Sequence, residues 1–193
     1  ALWQKDVKRL LAYSGVVQVG YMLIGVATQS ATGLAALLFY LFVFALASVG
    51  VFAVTIAITG KMTPVSTEIS AFSGLHQRAP WLAFGTLVGL FALIGMPITG
   101  GFIGKFWLFI AALEKGFPWL TGIAVLSSVI SVAYYWKIIR AMYFLPALTD
   151  DSLRVPIWLS VALSLCVALV IFLGLFPNSV LALFRLAVVD FRF

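Results

Sequence analysis

Charge is what this chain has least of. Asp and Glu number six and Lys and Arg twelve, so that 9% of the 193 residues are charged, where a soluble globular domain carries about 25%. A chain so poor in charge cannot cover a water-facing surface. Cysteine is reduced to Cys166, inside an apolar run, which excludes a disulfide framework and a cysteine metal site. Histidine is also single: His76 stands beside Arg78 in a polar stretch, with no second histidine or cysteine to share a metal, and reads as a solvated loop residue. No glycine-rich nucleotide fingerprint, nucleophile elbow or cysteine cluster occurs. The chain therefore has no evident redox centre, cofactor site or metal site of its own. Residues 1–13 lack the basic, apolar and cleavage regions of a signal peptide. They also lack an initiator Met, so the chain reads as cut or processed.

What is there is apolar. Hydrophobic residues make up 64% of the chain and mean hydropathy is +1.17. They come in runs of bilayer-spanning length. Continuous runs favour helices over a barrel, whose strands alternate polar and apolar. The expected fold is an all-α polytopic membrane protein, a single membrane domain over 1–193 with five transmembrane helices. The spans are placed at about 13–27, 33–58, 81–113, 118–144 and 155–176, with an interfacial tail at 178–193. A polar loop from Gly60 to Ala79 holds Lys61, Pro64 and Glu68, and a second loop holds Pro146, Asp150 and Asp151.

The net charge of +6 does not point to nucleic acid, because the basic residues sit between apolar runs rather than in one stripe. They serve as topological markers instead. Lys5, Lys8, Arg9, Lys61, Arg78, Lys137, Arg140 and Arg154 fall on one side, and Lys115, Arg185 and Arg192 on the other. This bias places the N-terminal side in the cytoplasm and the C-terminus outside.

The stretch 81–113 is too long for one crossing: as a single helix it would measure roughly 50 Å, against a hydrocarbon core of about 30 Å. The sequence offers a break at Pro97–Gly101. Pro97 removes a backbone donor, and Gly100 and Gly101 are expected to relax the backbone after it, with Gly104 one turn on. Broken helices at membrane depth mark ion sites in transporters. Lys105 follows the break, about 13 Å of helix from Glu114, which makes escape to the interface a stretch for one lysine stem. An ionisable residue at that depth is a functional candidate. Apolar surroundings disfavour the ammonium form, as does the positive end of the second half-helix, so Lys105 is the expected proton carrier. The structural alternative is a lysine paired to a carbonyl, or a kink that merely packs neighbours.

Other polar residues line up on helix faces. Ser14, Gln18 and Tyr21 share one face of the first span, and Ser127, Ser131 and Tyr134 one face of the fourth. Either face can hold water along a proton path, or simply hydrogen-bond across helices.

Three segments carry a family resemblance. Lys8–Ser14 (KRLLAYS) with Gly20-Tyr21, and Gly95–Phe106 (GMPITGGFIGKF), resemble the antiporter-like subunits of respiratory complex I and of multisubunit cation/proton antiporters. Ser127–Tyr135 followed by Arg140–Tyr143 looks most like the N subunit of NADH–quinone oxidoreductase. The resemblance implies an inverted-repeat fold of which this chain matches only the last five helices, with Lys105 as the lysine of the second broken helix. It implies a membrane subunit that moves protons as quinone is reduced elsewhere. NADH, flavin, iron–sulfur clusters and quinone would belong to partner subunits, and the neighbours would be M-type and small membrane subunits in an energy-transducing, bacterial inner membrane. A sodium/proton antiporter subunit, or a structural membrane fragment without transport of its own, is the alternative. Gln18 stands where many relatives carry histidine.

Overall fold

The computed structural model describes residues 1–60, 67–147, 153 and 155–188. The expectations placed on Lys61, Pro64, Asp150, Asp151, Arg154 and Arg192 lie outside the described residues. Among the described residues the fold is all-helical: α1 (Val7–Ala27), α2 (Ala31–Thr59), a 3-10 turn (Ile69–Phe72), α3 (Leu75–Arg78), α4 (Pro80–Ile94), α5 (Gly100–Glu114), α6 (Pro118–Phe144), α7 (Ile157–Leu175) and α8 (Pro177–Val188). Among the described residues four helices, α1, α2, α6 and α7, are long and apolar enough to cross a membrane. With 15 residues each, α4 and α5 measure about 22 Å, too short to cross alone.

Polar side chains set the helix ends. Asp6 caps α1, accepting from the Arg9 N–H at 2.9 Å, and also accepts from Thr67 Oγ1. Burial raises the proton affinity of its carboxyl, but the bonds from Thr67 and from the Arg9 and Lys8 backbone outweigh this and hold it below the ordinary carboxylate value. Ser30 caps α2 through the Gly33 N–H. Pro80 and Pro118 open α4 and α6, where a missing donor costs nothing. His76 is not the solvated residue its position in the sequence suggested. It is half-buried, its Nδ1 lies 2.8 Å from the Met142 carbonyl, and its ring stacks on Tyr143. With the Gly74 N–H on the Ala141 carbonyl, it gives partners to the last turn of α6, whose carbonyls have none within the helix.

The core forms around α2. One end packs Val51, Val54 and Ile58 with Leu10, Leu82 and Ile138; the other packs Ala36 and Tyr40 with Tyr21 and Leu108. Contacts along α7 and α8 descend α2 in order. Leu163 and Cys166 face Gly50, Leu173 lies with Phe39 and Val43, and Leu181 and Val188 lie with Ala35. The two helices thus form one path antiparallel to α2, bent at Phe176–Pro177. Of the tail expected at 178–193, residues 178–188 lie in α8. Val180, Leu181, Phe184 and Val188 form a stripe along one helix face, and α2 is there to bury it.

The interruption between α4 and α5 spans 95–99, and its positive φ angles belong to Gly95 (87°) and Ile98 (77°). The role expected of Gly100 and Gly101 is corrected: both lie inside α5, where their missing side chains permit contact. A Cβ on Gly101 would sit 1.9 Å from the Ala92 carbonyl oxygen, and one on Gly100 would sit 2.9 Å from Val43. On Gly104 it would meet Tyr40 at 2.7 Å. The glycines let α5 approach α4 and α2; Gly95 makes the turn.

Candidate functional site

Lys105 lies in the second turn of α5 and is 3% exposed. Side chains on a helix lean toward its N-terminus, and here that direction leads back across the break. The stem passes over Gly95, where a Cβ would stand 3.1 Å from the lysine Cδ. Nζ then donates to the Leu93 carbonyl at 3.0 Å, the Ile94 carbonyl at 2.9 Å and Ser128 Oγ at 3.2 Å. Its three N–H groups thereby find three acceptors.

Besides the positive end of α5, toward which its stem leans, the ammonium meets the negative end of α4, whose last carbonyls lack helical partners. The face of Tyr21 lies 4.6 Å away, and a π-face also attracts a cation. No carboxylate or second cation among the described residues acts on Lys105.

Gln18, wholly buried in α1, reaches the same carbonyl. Its Nε2 donates to Leu93 O at 3.0 Å and to the Tyr135 hydroxyl at 3.4 Å, and its Oε1 accepts from the Tyr40 hydroxyl. Four helices thus meet at one amide: α1, α2, α4 and α6.

The remaining polar residues divide. Ser14 turns its hydroxyl onto the Leu11 carbonyl, and Ser131 onto that of Ser128, each within its own helix. Tyr21 and Tyr134 carry buried hydroxyls without a hydrogen-bond partner. Ser127 lines a groove of about 230 Å³ with Gly20 and Tyr21. Ser128 lines another of about 330 Å³ with Gly95, Phe102, Phe106 and Lys105. Of the expected set, Ser14, Gln18 and Tyr21 lie along α1 and Ser127, Ser131 and Tyr134 along α6, and Gln18 reaches across to Tyr135.

Reading by helix face missed Ser128, which is the α6 hydroxyl that meets Lys105. It also missed Tyr40 and Tyr135, both buried. Tyrosine inside an apolar span was the available signal, since a buried hydroxyl calls for a partner.

Among the described residues no group of three or more His, Cys, Asp or Glu could hold a metal ion.

Fold and site together define a polytopic helical membrane protein with a lysine buried at a helix break. A family model described as "NADH:quinone oxidoreductase/Mrp antiporter, TM" matches residues 1–131, and the chain belongs to that family. Among curated proteins it is similar to NADH-quinone oxidoreductase subunit N of Trichlorobacter lovleyi, with 39% identity over 189 residues, 97% of this chain and 39% of the relative. Among solved structures it superposes on a chain of respiratory complex I from Thermus thermophilus with TM-score 0.83 and 33% identity, over 94% of this chain and 40% of that one. A chain of the Mrp complex from Dietzia sp. DQ12-45-1b shares the fold, with TM-score 0.89 over 98% of this chain and 43% of that one, at 22% identity. The chain thus spans about two-fifths of the length of the curated relative. The resemblance carried by Lys8–Tyr21, Gly95–Phe106 and Ser127–Tyr143 is that of the family, and the named relative is an N subunit.

Proposed function

We propose that this chain acts within a proton-translocating N-type membrane subunit of an NADH–quinone oxidoreductase, with Lys105 as the group that takes and releases the proton. The observation that carries the reading is the ammonium at the break, held by Leu93, Ile94 and Ser128 and facing no counter-carboxylate among the described residues. Such a site accommodates both forms of the amine. Charged, it gives three hydrogen bonds; neutral, it keeps two donors and gains a lone pair. The Ser128 hydroxyl, which donates to Ile94 O at 3.1 Å, can rotate to meet that lone pair. NADH oxidation and quinone reduction belong to partner subunits carrying flavin and iron–sulfur clusters, and the neighbours are other membrane subunits of the complex.

In this reading α4 and α5 together make the third of five crossings, and α7 the fifth. The basic bias puts the α3 side in the cytoplasm and the α5–α6 turn outside, in an energy-transducing membrane. In a Cys166→Ala background, single cysteines at Gln77 and at Lys115, both exposed, should label from opposite faces of the membrane. Labelling of both from one face would sink this topology.

The function is tested with a tag on this chain. Tagged membranes should yield a complex that reduces quinone with NADH. Sealed vesicles carrying it should show NADH-driven proton uptake with a pH-sensitive dye. Sodium-driven proton exchange without NADH oxidation would replace this reading with the antiporter one, to which the shared fold of the Mrp chain corresponds.

A further inference from the structure

Gln18 stands apart from the other polar residues because every hydrogen of its amide is engaged. Both Nε2 hydrogens are used, toward Leu93 O and Tyr135, and Oε1 accepts from Tyr40. The Tyr40 contact also fixes the amide's orientation, since a hydroxyl donating to Oε1 leaves Nε2 to face the carbonyl. An amide does not titrate, and one whose hydrogens are both committed has no free donor to offer a passing proton. The Leu93 oxygen in turn receives two donors, Gln18 Nε2 and Lys105 Nζ, both at 3.0 Å. The titratable side chains facing this cluster are Tyr21 from α1, Tyr40 from α2 and Tyr134 and Tyr135 from α6. Among the described residues no carboxylate or second cation acts on Lys105 from any packed element.

We propose that Gln18 is a positioning residue for Lys105. By holding the Leu93 carbonyl from the opposite side, and by tying α4 to α1, α2 and α6, it sets how firmly the end of α4 grips the ammonium. The proton does not pass through it. Transfer at Lys105 runs on the side of Ser128, where the 330 Å³ groove opens, and the Gln18 side is a closed clamp. This rests on the reading of Lys105 as the proton carrier.

Two replacements in the tagged complex test it. Gln18→Met keeps the length and removes the donor to Leu93 O; Gln18→Glu keeps the shape but presents acceptors only, with a negative charge beside the ammonium. The expected result is assembled complex whose pH profile for coupled pumping is displaced from wild type. Gln18→Glu should move it toward alkaline pH by about one unit or more, as a carboxylate a few ångströms from an ammonium favours the charged form. In a Lys105→Ala background neither replacement should have any further effect on the residual rate. Gln18→His, which restores a ring N–H donor, should recover most of the wild-type profile if aimed at Leu93 O. A wild-type pH profile in assembled Gln18→Met or Gln18→Glu overturns the proposal, as does loss of assembled complex in both together with a wild-type profile in Gln18→His at reduced yield, because that pattern describes a structural tie alone. Failure of the underlying reading looks different: Lys105→Ala would then pump normally whatever stands at 18.

Discussion

Arginine at position 105 is expected to leave the complex assembled and to stop it pumping. The guanidinium keeps the charge and enough donors to cap Leu93 and Ile94, but it does not give up its proton in a protein. The predicted loss in the pumping rate is therefore about tenfold or more. Intact complex on a native gel, by contrast, should stay near the wild-type amount. Alanine at 105 should also stop pumping. It removes the lysine donors from two carbonyls at the end of α4, but Leu93 O keeps Gln18 Nε2 and Ile94 O keeps Ser128 Oγ. With those donors in place, assembly survives in part. If the lysine merely packs the break, the order reverses: alanine abolishes assembly, and arginine is tolerated wherever it fits. An assembled Lys105→Arg complex pumping at the wild-type rate would remove Lys105 from the mechanism.

Gly101→Ala is expected to do the opposite, removing the complex rather than its activity. The added Cβ would stand 1.9 Å from the Ala92 carbonyl oxygen and 2.7 Å from its carbon. Both are backbone atoms, which cannot swing aside as the tip of a side chain can. The two half-helices must separate, and with them the carbonyls at Leu93 and Ile94 move away from Lys105. Overpacking of this kind costs about 1–3 kcal/mol, so intact complex should fall by about fivefold or more on a native gel. Gly15→Ala is the matched control. Nothing lies within 4 Å of a Cβ there, and its yield should equal wild type. Equal yields for the two replacements would mean that the break is not held by this contact.

The Gly101 case also shows where a residue's identity outran its interpretation. Glycine after a proline suggests a relaxed backbone, and the left-handed turn is indeed made by a glycine in this segment, but by Gly95. Gly101 sits in ordinary helix. Which of two glycines bends the chain and which one is pressed against a neighbour depends on the packing of α5 on α4. Ser127 and Ser128 repeat the point on α6. Adjacent positions on a helix differ by about 100° in direction, and the pattern of polar residues selected Ser127, Ser131 and Tyr134 as one face. The lysine meets Ser128.

The sequence by itself determined the solvent of this protein, the long apolar helices, the position of an interruption and the presence of one lysine beside it. Each is a property of runs along the chain: hydropathy is summed over neighbours, and proline and glycine act on their own turn of backbone. The tertiary structure alone decided what the lysine holds. The donors and acceptors around Leu93 come from positions 75 residues away at Gln18 and 12 away at Lys105, and Gln18 and Tyr135 are 117 apart. Likewise α8 gained its place along α2 by packing. Contacts of that separation follow from the rotation and depth at which whole helices pack, and no local signal in the chain encodes either.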